Sequence, residues 1–496
     1  VAGSSTSAAA AGTAGAEQPR SGGTLRFGTP ADLLTLDGQD FTSGGEGLVG
    51  VWDRLLEQDE NLVPQPRLAE SFDWSSNGQQ LTLNLRKGVQ FHTGRELTAE
   101  DVVWNLKRAT GDSKLNGGVW VATFRPMTSV EATDKYSLVL KSEQPWPGVF
   151  DALELLNIVD PVTMQGPDGP GKPVGTGPFT FVEWAQGDHV RVVKNKNYWQ
   201  SGRPYVDEIV TTVFRDPQAM VVSLESGALD LALNLPLNDF VRLQNGGKYQ
   251  MLPNPLSGSY YALVPNLTVP PLENKQVRQA LNFAIDRQRV LDQVLQGIGR
   301  TEDLPWAPSS PAYEPEKNMH YAFDLDKAKS LLASAGVSGV KLDLMYSTAI
   351  SALGTIAQII QSDLAKIGIT INLAPTDPAA ASAAQREHRF QLILGGGQKA
   401  QLHPSKIVAG PFWDPAINIM GVHDDNYTQL VAGMSSEVDP AKRKQVYSSF
   451  NDYVLEQSYN MPIASLVQLA AMTPTVHGPR YNMNEWLLFN DTWLSA

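Results

Sequence analysis

The residue sets most able to do chemistry in this chain fail one by one on spacing. Gly166 to Pro173, "GPDGPGKP", imitates a phosphate loop, with Gly, four residues and then Gly-Lys. A working loop needs Ser or Thr after the Lys to hold magnesium, and a helix whose N-terminus faces the phosphates. Here Pro173 takes the place of the hydroxyl, and Gly175, Gly177 and Pro178 forbid the helix. The seven His are scattered, with no His-Glu-x-x-His and no other close ligand pair. No Gly-x-Ser-x-Gly elbow and no dinucleotide fingerprint after a strand is present. Asp424 and Asp425 are adjacent carboxylates, but adjacency in sequence does not set two acids across a sugar. There is no cysteine. Its absence removes disulfide scaffolds, thiolate catalysis, Cys-ligated zinc and iron–sulfur clusters, and leaves the compartment open. The sequence therefore assigns no catalytic residue, no metal ligand and no cofactor.

Aromatic residues point to binding instead. The chain has 11 Trp, and Trp120, Trp146, Trp306 and Trp413 sit beside Gly or Pro in loop-like segments. A loop Trp either plugs a domain seam or forms a flat wall for a solute, and the plug is the commoner use. Several in one cleft would suit a planar or amphipathic solute.

These residues need elements to position them. Strands are expected at Thr24 to Gly28, at Leu81, Leu83 and Leu85, and from Tyr136. Thr98 and Asp101 have the spacing of a capping box, which starts a helix carrying Val102 and Leu106 inward. Asn274 to Gln296 reads as one long helix, with Val277, Leu281, Ala284, Leu291 and Val294 at helical spacing and Gly297 as its stop. From Asp324 to Gly395 the pattern runs helix, strand, helix, strand, strand, with stops at Gly336 and Gly368. That alternation predicts an α/β lobe with a largely parallel sheet. A last helix follows Asp439-Pro440.

Length and charge bound the whole. At about 150 residues per domain, 496 residues suggest roughly three domains. The net charge of −13 is spread along the chain, which argues against a nucleic-acid partner. No apolar run approaches the roughly 18 residues that cross a bilayer. Residues 1–23 contain 18 Ala, Gly, Ser or Thr and are expected to be a flexible tether.

Four ordered segments resemble the extracytoplasmic solute-binding proteins of the peptide, opine and nickel class of ABC importers. They are "LVPQPRLAESFDWSSNGQQLTLNLRKGVQFHTGRELTAEDVVWNLKR" (Leu62 to Arg108), "PVGTGPFTFVEWAQGDHVRVVKNKNYWQSGRPYVDEI" (Pro173 to Ile209), "ENKQVRQALNFAIDRQRVL" (Glu273 to Leu291) with "SPAY" at Ser310 to Tyr313, and "YAFDLDKAKSLLASAG" (Tyr321 to Gly336). The resemblance implies an α/β fold of the periplasmic-binding-protein type: a two-lobed clamp with an additional inserted domain, closing on a solute. It divides the chain into a discontinuous lobe I (residues 24–45, 175–257 and 476–496), an inserted domain II (46–174) and lobe III (258–475). It also implies a location in the periplasm or on the outer face of the cell membrane, an ABC permease as partner, no enzymatic activity and a monomer. A lipid anchor before Val1 would fit the tether.

Peptide binders of this family typically hold the peptide ammonium with the Asp of a "Gly-Trp-x-Ala-Asp-Tyr" type segment. The corresponding stretch here is "GGGQKAQLHP", which sets Gly397 at the Trp and Ala400 at the Asp. A desolvated ammonium without a carboxylate is costly, unless Asp424 or Asp425 substitutes. The expected pocket comprises Gly395, Gly396, Gly397, Gln398, Gln401, Phe412 and Trp413. Tyr260 and Tyr261 enter where the chain crosses into lobe III, one ring lining the cleft and the other buried, and Trp120 enters as a cover from domain II. The solute stays open between a peptide-like molecule, which the family favours, and an oligosaccharide or other neutral polar solute, which Gly and Gln favour. Nickel is weak without a His cluster, and a hydrolase acting in the same cleft is the remote alternative.

Overall fold

The computed structural model describes residues 18–40, 45–111, 120–167, 169–396 and 401–495. Three sheets organise them. The largest has seven strands in the order Gln250–Pro253, Leu469–Met472, Leu231–Leu233, Thr24–Thr29, Glu208–Val213, His189–Lys194, Phe179–Ala185. Thr24–Thr29 lies at its centre, parallel to both neighbours, and its Leu25 and Phe27 are fully buried. A four-stranded antiparallel sheet, Ala69–Trp74, Gln80–Leu85, Ser137–Ser142 and Met127–Asp134, belongs to the segment between the first two strands of the large sheet. The third sheet has five strands, Thr370–Thr376, Lys341–Ser347, Leu392–Gly396, Ser259–Pro265 and Met461–Leu466.

Local chemistry builds the elements much as the sequence suggests. The helix Ala99–Ala109 starts at Thr98, whose backbone N–H and hydroxyl both donate to the Asp101 carboxylate, at 2.8 and 2.9 Å. Leu325–Ser334 ends before Gly336, at φ 66°, and Ser351–Ala365 before Gly368, at φ 82°. Asp439 caps Pro440–Gln457 by accepting from the N–H groups of Ala441 and Lys442.

Other expectations are corrected. The long helix from Asn274 is two, Lys275–Phe283 and Arg287–Gln293. Asp286 interrupts it because its carboxylate accepts the Arg289 N–H, capping a new helix inside the apolar repeat. The five-stranded sheet is mixed: Lys341–Ser347 is parallel to both of its neighbours, whereas Ser259–Pro265 is antiparallel to both of its own. The chain returns to the seven-stranded sheet at Leu469–Met472, before residue 476, since that strand pairs with Leu231–Leu233 and Gln250–Pro253. Likewise Leu48, Val51 and Trp52 pack in the core of the seven-stranded sheet, so departure from that layer falls after residue 45. The expected tether lies mostly outside the described residues. Its end is fixed: Gly22 N–H donates to Tyr205 and Gly23 accepts from Asp207 N–H.

Gly175 and Gly177 sit where the chain re-crosses its own departing segment, Gly50 to Trp52. A Cβ on Gly175 would lie 2.4 Å from the Val51 carbonyl oxygen and from Trp52, and one on Gly177 would lie 2.4 Å from the Gly50 carbonyl oxygen. No side chain fits in either gap.

Candidate functional site

The strand Ser259–Pro265 carries Tyr260 and Tyr261 side by side, so their rings leave opposite faces of the five-stranded sheet. Both are buried. Tyr261 is paired with Gly396, and its ring fills the space that a Cβ there would enter, at 3.3 Å. Tyr260 faces a small cavity with Ala262, Gln385, Ile393, Gly395, Phe412 and Asn460, with about 20 Å³ of room for water centres, enough for a water molecule. Its hydroxyl is pushed well above the ordinary Tyr range by burial, against the opposing influence of Trp413 and Asn460. Tyr260 OH, Trp413 Nε1 and Asn460 Oδ1 are buried beside one another, but no hydrogen bond of good geometry joins them. Polar groups buried together in poor hydrogen-bond geometry are costly.

The other expected residues divide. Phe412 is half-buried and lines the same cavity. Trp413 is a plug: 1% exposed, it packs 5.7 Å from Phe450, and its carbonyl accepts the Tyr427 hydroxyl at 2.5 Å. Gly396 ends its strand exposed. Gly397 and Gln398 lie outside the described residues. Gln401 is fully buried; its amide donates to the Met483 carbonyl at 2.8 Å, and its Oε1 has no partner. Trp120 packs against the inserted-domain core, away from the Tyr260 cavity, and its indole N–H is buried and unpartnered. Asp424 is spent within its own lobe. It accepts from the N–H groups of Asn426 and Tyr427 and from the hydroxyls of Tyr453 and Tyr459. Burial raises its pKa, but these bonds prevail and hold it below the usual carboxylate range.

Gln401 belongs to a seam that sequence reasoning missed. His403 N–H donates to Asp151 Oδ2 at 2.8 Å, and Lys406 donates to Thr123 Oγ1, so this segment fastens onto the inserted domain. His403 is driven down to about 3 by burial and by nearby Arg443, so it is neutral. Asp151 also accepts from Gln58 Nε2 at 2.6 Å, and burial pushes its carboxyl up to about 6. Glu154 is raised to about 8 by burial and by Glu57. Beside the seam a larger groove of about 470 Å³ runs between Trp74 and Phe150 on one wall and Tyr313, Arg443 and Tyr447 on the other. No sequence signal marks these acids, because the pairing joins residues far apart in the chain.

Comparison with known proteins follows this geometry. Residues 63–413 match the model of the bacterial extracellular solute-binding proteins, family 5 Middle. Heme-binding protein A of Haemophilus influenzae is 26% identical over 484 residues, covering 90% of this chain and 86% of that protein. The oligopeptide-binding protein AppA of Bacillus subtilis is 28% identical over 384 residues, 72% of this chain and 69% of that protein. The structure of HbpA2 from Haemophilus parasuis shares the fold, with a TM-score of 0.86 at 24% identity, covering 96% of this chain and all of that one. The fold is thus a periplasmic-binding-protein clamp, and its role is to bind a solute outside the cytoplasm. With the family model matching well over half of its length, the chain belongs to the family 5 bacterial extracellular solute-binding proteins.

Proposed function

We propose that this protein is the receptor of an ABC importer, closing on a peptide or peptide-like solute and presenting the closed form to the membrane permease without altering the solute. The observation that carries this reading is the seam. Buried polar atoms there are poorly satisfied, Gln401 Oε1 with no partner and Tyr260 OH and Asn460 Oδ1 with no hydrogen bond of good geometry, in a protein whose relatives bind solutes. Such groups suit the alternating donors and acceptors of a peptide backbone.

In this reading lobe I is built on the seven-stranded sheet, the inserted domain on the four-stranded sheet and lobe III on the five-stranded sheet. Each has its own apolar core, which supports movement of one body against another. The protein acts as a monomer at the outer face of the cell membrane.

Native mass spectrometry of the freshly purified protein tests the assignment, because closed clamps retain solute. A peptide recovered with its mass unchanged agrees. Recovery of a sugar in its place, or of cleaved peptide after incubation, refutes it.

A further inference from the structure

Arg54 lies on the stretch that leaves the core of the seven-stranded sheet for the inserted domain. Its side chain is 6% exposed, and its guanidinium carbon stands 4.7 Å from the centre of the Trp486 ring. Nε and Nη2 are buried, and neither has a hydrogen-bond partner. Those two N–H groups share one edge of the guanidinium plane, the edge that takes both oxygens of a carboxylate in parallel.

The neighbouring acids do not fill that edge. Glu57 is held by Arg480 at 2.5 Å and approached by Arg67 at 3.7 Å. Asp53 accepts from Arg67, Tyr198 and Trp199. Glu154 takes the Gln58 N–H at 3.0 Å on one oxygen, while its other oxygen is unpartnered. Burial and Glu57 raise Glu154 to about 8, which keeps it uncharged at neutral pH. Among the described residues, no carboxylate lies within ion-pair distance of Arg54. Burial depresses the Arg54 pKa even though the acids Glu57, Glu154 and Asp53 oppose that shift, and a buried guanidinium edge that makes no hydrogen bond is expensive.

The surroundings place this edge at the meeting of lobes. Trp486, under Arg54, sits in the hairpin Arg480–Tyr481 with Leu487–Leu488, and Met483 of that hairpin receives Gln401 from the five-stranded layer. Asn482 Nδ2 in the same hairpin and Gln401 Oε1 are also buried and unpartnered. Gln58, which holds Glu154, also holds the Asp151 carboxylate that accepts His403. The orphaned guanidinium edge thus belongs to a set of orphaned polar atoms at the seam.

We infer that Arg54 is an anchoring residue for the solute, and that the solute carries a carboxylate that docks in two parallel hydrogen bonds on its Nε and Nη2 edge. This rests on the receptor reading and adds to it the charge and planar geometry of one end of the solute. Trp486 packs against one face of the guanidinium plane.

The test is thermal unfolding of the full chain with benzoate and succinate against benzamide and succinamide, at matched ionic strength. The acids are expected to raise the melting temperature by several degrees and the amides by less than one. Arg54→Lys, which keeps the charge but loses the paired edge, should abolish the response to acids. Equal shifts with acids and amides, or an acid response that survives in Arg54→Lys, overturn the inference. Should Arg54→Lys fail to fold, the acid–amide comparison on the wild-type chain decides. A parallel titration with a tripeptide library separates the two ideas: no peptide binding with a retained benzoate response refutes the peptide reading and upholds the anion anchor.

Discussion

The backbone N–H of His403 donates to Asp151 Oδ2 at 2.8 Å, joining the segment after the five-stranded sheet's Leu392–Gly396 strand to the inserted domain. Both partners are deeply buried, and both are uncharged more readily than in water: His403 is driven down to about 3 and Asp151 up to about 6. A clamp whose seam is closed by such groups registers pH through whichever of them changes charge on opening. As pH rises past 6.5 an exposed His403 also loses its charge, and the raised carboxyls increasingly dominate the response.

Those carboxyls set the first prediction. Glu154, raised to about 8, and Glu302, raised to about 7, hold protons in the folded chain that they release when unfolded, mainly through burial. A raised carboxyl contributes most below its ordinary pKa and loses that contribution as pH climbs to its folded value. Stability should therefore fall between pH 6.5 and 8, by at most about 1.4 kcal/mol per pH unit from Glu154, with Glu302 adding to the slope only up to about pH 7. Glu154→Gln should flatten that fall. A melting temperature that is level from pH 6.5 to 8 in the wild type would show that Glu154 ionises freely.

Tyr260 sets the second. Its hydroxyl is buried beside Trp413 Nε1 and Asn460 Oδ1, with no hydrogen bond of good geometry to either. Tyr260→Phe removes one such group without a cavity, so stability should change by no more than about 1 kcal/mol. Affinity for the co-purified solute should drop at least five-fold by calorimetry. Unchanged affinity would mark the hydroxyl as a core group. Truncation to Ala is the wrong experiment, because Tyr260 is 4% exposed and the loss of its ring would cost about 3–5 kcal/mol.

Trp413 behaves as packing. It meets Phe450 at 5.7 Å, and Phe450 in turn meets Trp306 at 5.9 Å. Trp413→Ala should lower unfolding stability by about 3–5 kcal/mol in urea, with Trp413→Phe losing less. A variant as stable as the wild type, with weakened solute binding, would return Trp413 to the cleft wall.

How far the sequence could be read depends on how local each cause is. The Thr98–Asp101 cap and the stops at Gly336 and Gly368 depend on residues within a few positions, and they were legible. The break at Asp286 was not, because the apolar period of Val277, Leu281, Leu291 and Val294 runs on through it and only the Asp286 cap betrays it. Parallel order is overestimated because the pattern of Asp324 to Gly395 contains only three of the five strands, and those three are joined by parallel pairings. Ser259–Pro265 and Met461–Leu466 join that sheet from distant sequence, in antiparallel pairings. Arg54 sits in the stretch "DRLLEQDE", where nothing in the local pattern marks it as buried. Its burial is made by Trp486 near the other end of the chain, and no local pattern carries that information.

The glycines of the 175–177 turn give a sharp structural prediction. Position 175 has no room: a Cβ there would meet both the Val51 carbonyl oxygen and the Trp52 ring at 2.4 Å. The Val51 carbonyl cannot swing away cheaply, since it accepts the Gly177 N–H at 3.1 Å. Trp52 is equally confined, 2% exposed and packed in the core of the seven-stranded sheet. Gly175→Ala should therefore displace backbone at the junction between that sheet and the inserted domain, and cost about 1–3 kcal/mol or more, as overpacking does. Gly171→Ala is the matched control, because a Cβ there meets nothing within 4 Å and the position needs no left-handed backbone. It should leave the melting temperature within a degree. Equal behaviour of the two variants would mean that the junction yields, and that the close approach of Gly175 to Val51 is incidental to the fold.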